Sequence, residues 1–122
     1  MEEPLKFKVV LIGESGVGKT SILQRYISNE FNSNQFSTIG SSYVEKIIKI
    51  GNNKKIKLEI WDTAGQEQFR ALAQAFYRNT DVCILVYDVT NKYTFEEIKN
   101  YWIKDIKENN NDNISKKIIN IF

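Results

Sequence analysis

From Leu5 the chain first alternates, with Phe7, Val9 and Leu11 on one face, and then turns apolar on both faces as far as Ile12. That is the pattern of a strand entering a buried sheet. A glycine-rich turn over 13–18 leads into a helix from Lys19, whose apolar stripe is Ile22, Leu23, Tyr26 and Ile27. Residues 29–41 are polar without a period, and a loop of more than about a dozen residues is usually functional or disordered. Two runs of period two follow, Tyr43 to Ile50 and Ile56 to Ile60, separated by Gly51-Asn52-Asn53-Lys54. They predict a hairpin. Beyond a break at Asp62 to Gly65, a weaker helical pattern carries Phe69, Leu72, Phe76 and Tyr77. Val82 to Tyr87 is apolar throughout, as a central parallel strand is. A last helix from near Thr94 places Phe95, Ile98, Trp102 and Ile106 on one face, with Glu96 and Glu97 in its first turn favouring the helix dipole. Trp102 and Tyr26 are read as core. The end of the chain, Lys-Lys-Ile-Ile-Asn-Ile-Phe, has the makings of one more strand.

Strands alternating with helices predict an α/β fold: three layers around a mostly parallel sheet, with one antiparallel edge strand supplied by the hairpin. At 122 residues the chain is one domain, 1–122, with enough hydrophobic content (42%) for one core.

Composition acts mainly by exclusion. Seventeen basic against fifteen acidic side chains give a formal charge of +2, too little to argue for nucleic acid or an anionic membrane as partner. With no histidine and one cysteine, Cys83, the sequence offers no Cys-cluster metal site, no intrachain disulfide and no His base. Cys83 sits in an apolar strand and reads as core rather than as a lipid anchor. No apolar run approaches the ~20 residues of a membrane span, and the N-terminus matches no signal peptide. The expectation is a reduced, soluble, cytoplasmic domain. Asn, Ile and Lys are abundant and Arg is scarce, so the Asn run at 109–111 reads as a solvated loop. Lys54, Lys55 and Lys57 read as a solvated strand face, with a phosphate or lipid contact as the alternative.

Chemistry enters at the glycine turn. Gly13-Glu14-Ser15-Gly16-Val17-Gly18-Lys19-Thr20 fits G-x-x-x-x-G-K-[ST], with a strand before it and a helix after it. Glycines let successive N–H groups converge on phosphate oxygens, and the helix N-terminus adds partial positive charge. Lys19 can reach the terminal phosphates, and the Thr20 hydroxyl can ligate Mg²⁺. A second cluster, Trp61-Asp62-Thr63-Ala64-Gly65-Gln66, follows a predicted strand. Its carboxylate can hold a metal-bound water, its glycine can offer an N–H to a γ-phosphate, and its amide side chain can orient an attacking water. By itself Asp-Thr-Ala-Gly is an ordinary turn, and the phosphate loop upstream is what gives it meaning.

These two strings, together with Ser37-Thr38-Ile39-Gly40, Phe76-Tyr77-Arg78 and Ile84-Leu85-Val86-Tyr87-Asp88-Val89-Thr90, resemble Rab proteins of the Ras superfamily of small GTPases. The resemblance covers about residues 6–108 in the family's order and spacing. It implies Mg²⁺-dependent binding of GTP and GDP, and slow GTP hydrolysis as a switch in vesicle traffic. Nucleotide contacts would come from Ser15, Gly16, Val17, Gly18, Lys19, Thr20, Ser21, Phe31, Ser37, Thr38 and Gly65. Thr20, Thr38 and Asp62 would serve the metal, and Gln66 would position the hydrolytic water. Two loops, about 32–41 and 63–75, would be switches ordered by γ-phosphate and Mg²⁺. No arginine lies in the phosphate loop or first switch, which implies dependence on an activating protein. An exchange factor and effectors would use the same surface, where Tyr43, Trp61 and Phe76 match the family's partner-reading aromatic triad; three aromatics covering an apolar patch is the plainer alternative. The family's guanine-reading Asn-Lys-x-Asp motif and its prenylated cysteines do not occur in this sequence. The chain therefore reads as a family member shortened at its C-terminus, with an apolar sheet edge beside 82–87 that favours self-association unless 117–122 pairs there. Two other functions stay open: a non-cycling module that competes for Rab partners, and a nucleotide binder indifferent to the base.

Overall fold

A computed structural model of the chain describes residues 3–28, 42–63, 78–108 and 118–121. Its elements in order are β1 (Leu5–Ile12), α1 (Lys19–Ser28), β2 (Ser42–Ile50), β3 (Lys54–Asp62), β4 (Val82–Val86), α2 (Lys92–Glu97), a π-helical turn (Ile98–Trp102), α3 (Ile103–Glu108) and β5 (Ile118–Ile121). The strands form one five-stranded sheet in the order β2-β3-β1-β4-β5. Only β2 runs antiparallel to its neighbour; β1 is parallel to β3 and β4, and β4 is parallel to β5. The mostly parallel sheet with one antiparallel edge is thus present.

β1 lies at the centre, which explains why its second half is apolar on both faces: Val9, Val10, Leu11 and Ile12 are all buried. Successive residues point to opposite sides, and a helical layer covers each. On one side Val9, Leu11 and Ile60 pack against Leu23 of α1. On the other, Val10, Ile12, Cys83 and Leu85 pack against Ile98, Trp102 and Ile106 from the last helical stretch. The expected hairpin is present, with Tyr43 opposite Trp61 and Ile50 opposite Lys54, so its loop is Gly51 to Asn53 and Lys54, expected between the runs, already belongs to β3.

The apolar edge expected beside β4 is paired: Cys83 to Val86 align with Ile118 to Ile121. Several local expectations are corrected. Tyr26 is not core; it is 43% exposed, and its ring lies 4.1 Å from the Lys46 ammonium. Likewise Ile27 is exposed, because only the Ile22–Leu23 side of α1 meets the sheet. Phe95 stands at the margin of its helix's buried stripe, exposed, with its ring 4.9 Å from that of Tyr87. The last helical stretch also begins two residues early, capped by Asn91, whose side chain accepts from the Tyr93 N–H. Glu96 therefore falls in the second turn, where it pairs with Lys92 at 3.7 Å, and Glu97 beside it is equally outside the first turn.

The parallel strands β1, β3 and β4 all end at the same edge, at Ile12, Asp62 and Val86. The chain leaves β1 toward β2 and β3 on one flank and later returns to β4 and β5 on the other. Ligands of open α/β sheets bind in the crevice at such a reversal.

Candidate functional site

The turn after β1 occupies that crevice. Gly13 passes so close to β4 that a Cβ there would collide with the Val86 carbonyl oxygen. Gly16 and Gly18 have φ of 80° and 105°, conformations that side chains disfavour, yet among the described residues a Cβ at either would meet nothing within 4 Å. The glycines thus do two separate jobs. The first lets the loop lie against the sheet, and the other two let its backbone turn through positive φ.

α1 starts at the end of this loop, its first turn closed by a hydrogen bond from the Ile22 N–H to the Gly18 carbonyl at 2.9 Å. Lys19 is 2% exposed, and its ammonium donates to the carbonyls of Gly13 at 3.0 Å and Glu14 at 2.7 Å. Both of these acceptors are main-chain carbonyls, and they fix the position of the ammonium. Thr20, the next residue, donates from its hydroxyl to Asp62 Oδ2 at 2.5 Å. Asp62 is fully buried at the end of β3, beside Leu11 in the sheet register. The structure therefore brings together Lys19, Thr20 and Asp62, separated by 42 residues of chain, at one end of the sheet.

Two contacts in this region had no counterpart in the sequence reading. The buried Thr63 hydroxyl donates to the Leu11 carbonyl at 2.7 Å, tying the chain that leaves β3 to β1. The indole N–H of Trp102 donates to Glu14 Oε1 at 2.9 Å, across 88 residues. A buried tryptophan signals that its N–H has a partner somewhere, but spacing along the chain does not reveal which residue.

Ser15, Val17 and Ser21 lie where the loop and the first turn of α1 place them. Phe31, Ser37, Thr38, Gly65 and Gln66 lie outside the described residues, as do Phe76 and the bulk of both expected switch loops. Of the aromatic group, Tyr43 and Trp61 meet with ring centroids 4.4 Å apart. The Tyr43 hydroxyl sits 2.7 Å from Glu45 Oε1 and 2.8 Å from Glu59 Oε2. Its hydrogen bond to Glu45, with desolvation and Glu59 adding to it, raises the pKa of the phenol. Lys57 forms an ion pair with Glu45 at 2.9 Å, so one of the three lysines near the hairpin is engaged rather than merely solvated.

The donor set suits a hard cation. Thr20 and Asp62 offer oxygen only, and among the described residues no group of three or more His, Cys, Asp or Glu gathers. Mg²⁺ is commonly held by one or two protein oxygens with substrate phosphates and water completing its shell. The open loop at Gly16 and Gly18 and the buried ammonium supply room and charge for those phosphates.

The family model described as Ras family matches residues 8–121. Among curated proteins, Ras-related protein RABA1b of Arabidopsis thaliana is 48% identical over 88% of this chain and 49% of its own length. Ras-related protein Rab-8B of Homo sapiens is 47% identical over 93% of this chain and 54% of its own. Ras-related protein Rab-1 of Theileria annulata is 45% identical over 93% and 51%, respectively. The chain spans about half the length of the curated relatives it matches. Among the described residues no helix is long and apolar enough to cross a membrane.

Proposed function

The chain belongs to the Ras family, and from that premise we propose that it binds guanine nucleotide with Mg²⁺ and slowly hydrolyses GTP, as a Rab-type switch in vesicle traffic. The observation that carries this reading is the convergence of the Lys19 ammonium, the Thr20 hydroxyl and the Asp62 carboxylate at the mouth of the glycine loop. Backbone N–H groups of 14–20 would take the phosphate oxygens, helped by the partial positive charge at the start of α1. Lys19 would add its full charge from a buried position, where it is weakly screened. Thr20 and Asp62 would hold the magnesium ion, which would supply charge to offset that of the phosphates.

On the family's pattern, Thr38 would serve both the metal and the phosphates, Ser37 and Gly65 the phosphates, Phe31 the base and Gln66 the attacking water. An exchange factor, an activating protein and effectors as partners follow from the same pattern. Catalysis of this type is chiefly positioning and charge stabilisation. The activating protein would supply the charge that this chain's own loop, without an arginine, does not.

Titration of fluorescent GTP, ATP and GDP with and without Mg²⁺, followed by a phosphate-release assay, tests the proposal. Selective, magnesium-dependent GTP binding with release of phosphate supports it. Equal binding of GTP and ATP replaces it with a base-indifferent nucleotide site, and no binding of any of the three replaces it with a non-cycling binding module.

A further inference from the structure

The bond between Trp102 and Glu14 joins the helical layer to the phosphate loop. Trp102 is 1% exposed, enclosed by Val10, Ile12, Cys83, Leu85, Ile98 and Ile106. The ring of Tyr101 stands edge-on at 4.8 Å. An indole gripped on all sides is a fixed donor, and Glu14 is where it is spent.

The helix is built to present that donor. Ile98, Trp102 and Ile106 are spaced four apart, and in a regular α-helix each such step drifts by roughly 40°. Here the Ile103 N–H reaches the Ile98 carbonyl, a five-residue step that widens the turn ending at Trp102. The wider turn takes back the drift, so all three side chains stay against the sheet. Single π turns are rare and concentrate at functional sites.

On the loop side, Glu14 is held at both its side chain and its main chain. Its carboxylate accepts from Trp102, and its main-chain carbonyl accepts from the Lys19 ammonium at 2.7 Å. Orientation of that carbonyl depends on how the Glu14 backbone is held, and the side-chain tether holds it.

We propose that Trp102 and Glu14 form a positioning pair for the phosphate site, the indole fixing the Glu14 backbone whose carbonyl holds the Lys19 ammonium over the glycine loop. The pair rests on the reading of 13–20 as a polyphosphate site. It makes the grip on nucleotide depend on the packing of the last helical stretch. Neither residue touches the reacting atoms.

The experiment uses the full chain loaded with a fluorescent GDP analogue in Mg²⁺ and chased with unlabelled GDP. Glu14→Ala and Glu14→Gln both remove the negative charge, but only glutamine keeps an acceptor oxygen. Glu14→Ala is expected to release nucleotide roughly tenfold faster, on the scale of one lost hydrogen bond to a charged group, and Glu14→Gln to stay within about twofold of wild type. Trp102→Phe keeps an aromatic ring, smaller than the indole, and removes the donor, and should release nucleotide at least as fast as Glu14→Ala; adding Glu14→Ala to it should not speed release further. In the nucleotide-free chain, the Trp102 indole proton resonance should move upfield in Glu14→Ala and hold its place in Glu14→Gln. That readout stands even if Trp102→Phe fails to fold. Wild-type release rates in Glu14→Ala, or an indole resonance unmoved by it, overturn the pair while leaving the phosphate site intact. A wild-type chain that takes up no nucleotide overturns the site reading, and the pair's role with it.

Discussion

The Thr20 hydroxyl donates to Asp62 Oδ2 at 2.5 Å, joining the first turn of α1 to the end of β3. Residues that meet across a sheet's carboxyl edge in this way share one point in space, and a small hard cation can be placed there by both. Asp62→Asn keeps the shape and an acceptor for Thr20 but removes the charge. It is expected to lower magnesium affinity in the nucleotide complex by roughly 10- to 100-fold, with nucleotide affinity in EDTA unchanged. Thr20→Ala should act on the same quantity, and a double-mutant cycle should show coupling above about 0.5 kcal/mol. Strictly additive losses would separate the two residues functionally.

Gly13 tests the fit between loop and sheet. A methyl group at this position meets the Val86 carbonyl oxygen, which belongs to a strand and has little room to yield. Gly13→Ala should destabilise the fold by about 1–3 kcal/mol and lower the melting temperature by several degrees. Gly16→Ala meets no atom of the described residues within 4 Å, so its cost there is one of backbone conformation. Equal melting temperatures for wild type and Gly13→Ala would show that the loop does not pack on β4 as described.

Much of this arrangement could be read from the residues, and the parts that could not share a physical cause. β1, β4 and the hairpin were legible because burial on one or two faces imposes period two or a continuous apolar run. The glycine loop was legible because its spacing is a local motif between a strand and a helix, readable without knowledge of the packing. Its neighbourhood with Asp62 followed from the order of motifs. Tyr26 went the other way: helical spacing put it in the apolar stripe, but α1 meets the sheet through a narrow face and leaves Tyr26 beside Lys46. The start of the last helix was missed because Asn91 caps it through a side-chain contact that outweighs the weak helical pattern around Lys92 and Tyr93. The bonds from Trp102 to Glu14 and from Thr63 to Leu11 depend on how layers pack, which local pattern does not encode.

Cys83 offers a probe of the core. Burial pushes its thiol pKa up from 9.0 to about 12, so the thiolate is suppressed at neutral pH in the folded chain. Because the folded value is the higher one, this thiol's contribution to stability is complete below pH 9 and is lost as pH rises toward 12. A thiol reagent at pH 8 should modify the native chain far more slowly than the denatured chain, at a rate that follows global opening. Rapid modification of native protein would place Cys83 outside the core.

Acid should loosen the hairpin. Lys57 and then Tyr43 hold the Glu45 carboxyl below its ordinary value of 4.5. A folded value below the unfolded one means a contribution present above about pH 4.5 and lost as pH falls through the lower, folded value. Asp88, held down by the Thr90 hydroxyl and N–H, adds in the same direction. Melting temperature should therefore decline below about pH 4.5, and Lys57→Met should flatten that decline. An acid limb of unchanged slope in Lys57→Met would remove the Glu45 pair as its source.

The most direct measurement is a calorimetric titration of the chain with a non-hydrolysable GTP analogue, in Mg²⁺ and in EDTA, for wild type and Lys19→Ala. A phosphate loop organised around the buried ammonium predicts saturable heat in wild type that weakens in EDTA and falls by about 100-fold or more in Lys19→Ala, since hydrogen bonds to a charged group are worth about 1.5–3 kcal/mol each. Absence of heat from folded wild type, or equal affinity in Lys19→Ala, would contradict it.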